Sequence, residues 1–184
     1  MENLEIKKLF SKANISYDSK RLLWIIICFG IILRFIQYLY NRSLWFDEAM
    51  LTFNIINRSF SELFQPLNYG QAAPFGFLII EKLLIRTFGN SEYVLRLFPF
   101  LCGIISVFLF CRVAVYYIEK RAVPIALGLF AISGPLIYYS SEVKQYSSDV
   151  TIALLLYWVA IYIQSKKLTI PCIAIFGVIG AVSI

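Results

Sequence analysis

Long apolar runs alternate along this chain with short polar breaks, and the runs have the length of a bilayer crossing. A hydrocarbon core about 30 Å thick takes roughly 20 helical residues, because only a helix satisfies its own backbone groups in lipid. Four blocks meet that length: residues 22–40, broken by Arg34; 98–118, with Arg112 near its end; 122–141, without charge; and 147–165, with Asp149 at its start. A fifth block, 168–184, nearly does and runs uncharged to the last residue. The pattern predicts an all-α fold, a polytopic membrane helical bundle of five spans. The first block is too long for the apolar region of a cleaved signal peptide and follows a basic tail over 1–21, so it is expected to be a retained anchor.

The segment 41–96 has no such block, but it carries helix punctuation. Ser43 precedes 44–58, Ser59 and Glu62 have capping-box spacing, Pro74 opens 75–88, and Gly89 closes it. The last piece is too short and too charged to span, with Glu81, Lys82 and Arg86 among its apolar residues. Two or three amphipathic helices lying in the membrane plane are predicted here, with Glu81 open to water. Pro135 is expected to bend the third span near its end.

Composition agrees with the pattern. Of 184 residues, 60% are apolar and 15% charged, with mean hydropathy +0.74; soluble domains sit near 45–50% and about 25%. An ordinary water-soluble domain is excluded. Seventeen basic against eleven acidic residues give +6, and the excess lies in short connections. Lys7, Lys8, Lys12, Lys20 and Arg21, then Lys120 and Arg121, then Lys166 and Lys167 all fall on one side if five spans alternate. That side is expected to be cytoplasmic, which puts 41–96 and 140–149 outside. No nucleic-acid partner is expected. The chain has no His, so a His ligand, a His base or a Ser-His-Asp triad within it is excluded. The four Cys, at 28, 102, 111 and 172, lie in apolar blocks without CxxC spacing and are expected to act as small hydrophobes.

Two clusters can carry chemistry. Asp47 and Glu48 sit beside Trp45, Phe46, Met50 and Leu51, where desolvation raises a carboxylate toward the range of a useful base. The alternative is a helix-start pair favoured by the macrodipole. The polar stretch 138–149 presents Glu142, Lys144 and Tyr146, fit for a sugar or a phosphate; the alternative is a hydrated turn with aromatic interface anchors. Arg34, inside the first span, either snorkels outward or faces a phosphate.

Taken together, these residues carry a resemblance. The Asp47–Glu48 pair, then Gln-Ala-Ala-Pro-Phe-Gly-Phe-Leu from Gln71, then Phe-Gly-Asn-Ser-Glu-Tyr-Val-Leu-Arg-Leu-Phe-Pro from Phe88, then Tyr-Tyr-Ser-Ser-Glu-Val-Lys-Gln-Tyr-Ser from Tyr138 resemble the N-terminal half of glycosyltransferase family 39 and its bacterial relatives. These are the protein mannosyltransferases and aminoarabinose transferases of the GT-C superfamily, and the match runs over roughly residues 20–165. The resemblance implies a glycosyltransferase of a bacterial plasma membrane. It would move a sugar from a polyprenyl-phosphate donor to an acceptor of unknown identity on the extracytoplasmic face.

In that reading Asp47 is the general base or acceptor-orienting group, and Glu48 its neighbouring acid. Arg34, Lys82, Arg96 and Lys144 are the cations on the same side for the departing phosphate. Gln71 stands where relatives often carry His or Glu before a Pro pair, so it is expected to hydrogen-bond a sugar and not to ligate a metal; use of a divalent cation stays open. Family members have about twice as many spans, and the chain stops inside an apolar run, which predicts a fragment. The rival is a non-enzymatic polytopic membrane subunit or transporter fragment.

Overall fold

In the computed structural model, residues 17–165 and Gly177 are described. The predicted fifth span, Gly177 apart, and residues 1–16 of the basic tail lie outside the described residues. All regular structure among the described residues is helical. The helices are α1 (Tyr17–Leu39), α2 (Phe46–Asn57), α3 (Phe75–Phe88), α4 (Glu92–Leu95), α5 (Leu97–Tyr117), α6 (Val123–Ile132), α7 (Gly134–Tyr139) and α8 (Tyr146–Ser165). Two 3-10 turns, Glu62–Phe64 and Asn68–Gly70, lie between α2 and α3. Among the described residues, three helical stretches are long and apolar enough to cross a membrane: Ser19–Leu39, Glu92–Tyr117 and Tyr146–Gln164.

The third predicted span, 122–141, is not one helix. It breaks at Ser133 (φ −58°, ψ 113°) into α6 and α7. Pro135 has no N–H, so the carbonyl of Ala131, four residues earlier, loses its helical partner. Arg34 supplies the donor instead: its Nη1 donates to Ala131 O at 3.1 Å and to Gly30 O at 3.0 Å. The approach is close because residue 30 lacks a side chain; a Cβ there would lie 3.0 Å from Ala131 Cβ. Arg34 is fully buried and turned back toward its own helix's N-terminus, the usual direction of long helical side chains. Both expectations for it are therefore corrected, since a fully buried side chain hydrogen-bonded to backbone carbonyls neither snorkels outward nor offers an open face to a phosphate.

The segment 41–96 builds a core of its own. Leu51, Ile55, Leu63, Phe77, Leu78 and Leu95 pack together with Val143 from the loop between α7 and α8. Leu51, Ile55 and Val143 have no exposed surface, and burying one such side chain is worth about 1.5–3 kcal/mol. This core fixes the 140–145 loop against α2 and α3. A second core, with Leu23, Ile27, Val107, Ala114 and Leu127, joins α1, α5 and α6 toward the other end of the bundle. The helix α8 lies along α5, where Ser147 Oγ donates to Pro99 O at 2.9 Å and Thr151 Oγ1 to Cys102 O at 2.7 Å. Gly103 makes room for the loop there: a Cβ on it would sit 2.5 Å from Ser140 Cβ.

Three local expectations change. The helix expected over 44–58 begins at Phe46, with Trp45 and not Ser43 at its N-cap. Glu48 Oε2 accepts the Trp45 N–H at 3.2 Å, and because the indole offers no acceptor in return, only that half of a capping box forms. The Ser59–Glu62 box does close, with Ser59 N–H donating to Glu62 Oε2 at 2.7 Å, but it opens only a 3-10 turn. The segment 75–88 stands as expected between Pro74 and Gly89 (φ 90°). Glu81, however, is not open to water. It shares the buried face of α3 with Phe77, one turn earlier, and has no exposed surface. Among the described residues neither of its carboxylate oxygens has a hydrogen-bond partner, and burial pushes its pKa well above the ordinary range.

Candidate active site

Three chain segments converge on one carboxylate. Asp47 lies in the first turn of α2. Gln71 follows the turn Asn68–Gly70, which α2 itself holds: Asn54 Oδ1 accepts the Asn68 N–H at 2.8 Å, and Asn54 Nδ2 donates to Asn68 O at 3.3 Å. Tyr69 and Gly70 take left-handed backbone there (φ 63° and 64°), which reverses the chain toward Asp47. Lys144 follows the buried Val143, whose N–H donates to Glu48 Oε1 at 2.8 Å. The fold of the segment 41–96 thus delivers the first two residues, and its grip on the 140–145 loop delivers the third.

The three side chains form a closed triangle. Lys144 Nζ lies 2.9 Å from Asp47 Oδ2 and donates to Gln71 Oε1 at 2.8 Å. Gln71 Nε2 donates to Asp47 Oδ1 at 2.9 Å. The Asp47 side chain keeps 38% of its surface open and that of Lys144 only 6%, so an incoming group meets the carboxylate with the ammonium behind it. The hydrogen bonds from Lys144 and then Gln71 hold the Asp47 carboxyl below its usual range, against a smaller opposing push from burial. The expectation that apolar neighbours raise Asp47 is therefore reversed, because donors brought in from distant parts of the same chain outweigh desolvation.

Adjacent helical positions point about 100° apart, and Glu48 faces away from this triangle. It is fully buried, accepts the N–H groups of Trp45 and Val143, and lies 3.6 Å from Nη2 of both Arg42 and Arg96. Glu48, expected as an assisting acid, is sealed from any substrate and instead ties the first loop to the 140–145 loop. Arg96, expected as a phosphate cation, is 1% exposed and is spent on the same tie; its Nη1 donates to Arg42 O at 2.6 Å and Asn41 Oδ1 at 3.1 Å. Lys82 is also elsewhere. Its Nζ donates to Ile55 O and Ile56 O, both at 2.8 Å, capping the last turn of α2, where free carbonyls favour a cation.

Glu142 and Tyr146 flank the triangle without joining it. Glu142 is buried, with Oε1 accepting from Trp45 Nε1 at 2.8 Å. Burial raises its pKa, the Trp45 bond works against the shift, and the charge of Glu48 adds to it. Tyr146 is half-exposed, its ring 4.7 Å from that of Tyr139. Arg42 was not singled out by sequence, and Trp45 and Tyr138 were named there only as aromatic neighbours of the two clusters. Arg42 stacks on the Tyr138 ring at 4.0 Å and hydrogen-bonds its hydroxyl. The one available signal was a cation placed just before an acid pair and after an apolar block.

Beside Gln71 opens a cavity of about 370 Å³, lined mainly by apolar residues including Leu63, Phe64, Leu67, Ala73 and Phe75. No group of three or more His, Cys, Asp or Glu gathers among the described residues. Around Asp47 the other donors are an ammonium and an amide, a set that does not fit a divalent cation wanting several oxygen ligands. Comparison with protein-family models, curated proteins and solved structures yields no match.

Proposed function

We propose that the chain is a polytopic membrane protein with 41–96 and 140–149 on the extracytoplasmic face, and that it is the site-bearing part of a glycosyltransferase using a polyprenyl-phosphate sugar donor. The observation that carries this reading is the Lys144–Asp47 pair at 2.9 Å with Gln71 bridging it. A departing polyprenyl phosphate needs a cation, and an acceptor hydroxyl needs a base; the pair holds both in one place.

The two roles are coupled. As the donor phosphate draws Lys144 toward itself, Asp47 loses the interaction that most depresses its pKa, and its proton affinity rises when the base is wanted. The acceptor O–H then gives its proton to Asp47 while its oxygen bonds to the anomeric carbon. The bond from that carbon to the phosphate oxygen breaks, and its electron pair stays on the phosphate, facing Lys144. Once Lys144 turns to the phosphate, Gln71 Oε1 is released to accept from a sugar hydroxyl, and the cavity beside it gives an apolar wall for the ring.

The test is transfer from a polyprenyl-phosphate sugar in membranes bearing the protein. Asp47→Asn is expected to lower turnover by roughly 10²–10⁴, the worth of a positioned base, with membrane insertion unchanged. Lys144→Met is expected to lower donor retention and turnover together. Parental activity in Asp47→Asn ends the general-base reading.

A further inference from the structure

One exposed aromatic side chain at the site is held by both of its N–H groups. Trp45 stands two residues before Asp47, so their Cα atoms lie within about 7 Å, and 46% of its surface is open. Its backbone N–H donates to Glu48 Oε2 at 3.2 Å, and its indole Nε1 donates to Glu142 Oε1 at 2.8 Å. Both acceptors are buried. Glu142 in turn sits two residues before Lys144, whose Nζ lies 2.9 Å from Asp47 Oδ2. The indole is thus pinned between the same two chain segments that bring Lys144 to Asp47, and it cannot turn without giving up the Glu142 bond. A tryptophan that anchors a protein at a membrane surface turns its N–H to water and headgroups. Trp45 does the opposite, with its N–H inward on a buried carboxylate and open ring surface close to the Asp47 carboxylate.

We infer that Trp45 is a stacking platform for a sugar ring, held in place by Glu142, which acts as its positioning residue. The chemistry selects the ligand. The face of an aromatic ring is the negative side of its quadrupole. A pyranose presents polarised C–H groups on one face and matches it, whereas a phosphate is repelled by it and goes to Lys144 instead. A ring whose orientation is already fixed also loses little freedom when a ligand lands on it, so more of the contact is realised as affinity. The inference rests on the glycosyl-transfer reading of Asp47 and extends it to how a sugar is gripped. The ring belongs either to the sugar leaving the polyprenyl phosphate or to an acceptor glycan that carries the reacting hydroxyl.

The test is fluorescence of Trp45 in the membrane-embedded chain. Trp24→Phe with Trp158→Phe leaves it as the one tryptophan of the three. The probes are undecaprenyl phosphate, the same lipid bearing glucose, mannose or N-acetylglucosamine, and the free methyl glycosides of those sugars. If the ring is the donor's, a sugar-bearing lipid is expected to change the emission beyond the bare lipid. If it is the acceptor's, a methyl glycoside is expected to change it without any lipid. A response to bare lipid that no sugar enlarges overturns the platform and leaves the phosphate reading standing. Silence toward every probe in membranes that transfer sugar also overturns the platform; silence without transfer overturns the donor reading beneath it. In transfer, Trp45→Leu is expected to raise KM about 10-fold with a smaller change in kcat, and Trp45→Tyr, which keeps a ring face, to lose less. A parental KM in Trp45→Leu overturns the platform. Glu142→Leu is expected to raise KM likewise and to lower the anisotropy of Trp45, and Glu142→Gln, which keeps an acceptor for the indole N–H, to rescue both. A raised KM in Glu142→Leu with the anisotropy unchanged overturns the positioning role of Glu142.

Discussion

The hydrogen bond from Arg34 to Ala131 O makes a prediction that single substitutions cannot deliver. Arg34→Met removes the donor and leaves a buried carbonyl unsatisfied, at a cost of about 1–3 kcal/mol. The same change removes a buried guanidinium whose Nε and Nη2 have no hydrogen-bond partner among the described residues, and shedding that desolvation returns a comparable amount. The single variant therefore mixes two terms of opposite sign. Pro135→Ala separates them, because it restores an N–H four residues after Ala131 and lets α6 and α7 join, so the carbonyl no longer depends on Arg34.

The expected outcome is a coupling free energy of about 0.6–1.7 kcal/mol between the two sites, the range measured for hydrogen bonds inside membrane proteins, with Arg34→Met less damaging when combined with Pro135→Ala than in the parent. Reversible unfolding of all four variants in mixed micelles measures it. Effects that add within about 0.3–0.5 kcal/mol mean the two residues do not act on one carbonyl, and the account of the break at Ser133 falls.

Glu48→Ala is expected to destabilise the chain by about 3–5 kcal/mol, because it leaves Arg42 and Arg96 facing an emptied buried site; resistance to proteolysis equal to the parent's refutes the tie. For Glu142 the sign follows from its raised pKa: its folding contribution is full below the unfolded value of about 4.3 and is lost as pH rises through the folded value. Glu142→Gln, which does not titrate, is therefore expected to gain stability relative to the parent between pH 4 and pH 8, and a pH-independent difference between the two melting curves contradicts that burial.

What was legible in the sequence was local. The length of an apolar block is a property of neighbouring residues, and α1, α5 and α8 stand where their blocks do. Pro74 and Gly89 bound α3 because caps act over one turn. Where the answer depended on a distant partner, sequence gave the residue but not its role. Asp47, Gln71 and Lys144 were each named, yet the direction of the Asp47 shift is set by a lysine 97 positions away. Arg34 looked like a charge in search of a phosphate because its acceptor, Ala131 O, is orphaned by a proline in another helix. Glu81 looked solvated because charges surround it in sequence, whereas the pitch of α3 puts it on the Phe77 face.

Gly103 has an effect at a distance. The nearest atom to its absent side chain is Ser140 Cβ, at 2.5 Å from where a Cβ would stand, and that atom is fixed to the backbone and cannot swing away. Even a methyl group at 103 must therefore displace the chain at Ser140, four residues before Lys144, and a close-packed interior passes such displacements on. A hydrogen-bonded triangle with sides of 2.8–2.9 Å tolerates little of that. The reach of Lys144 is thus gauged by the girth of α5 at one position, and variation at 103 alters the triangle's alignment without touching Asp47, Gln71 or Lys144.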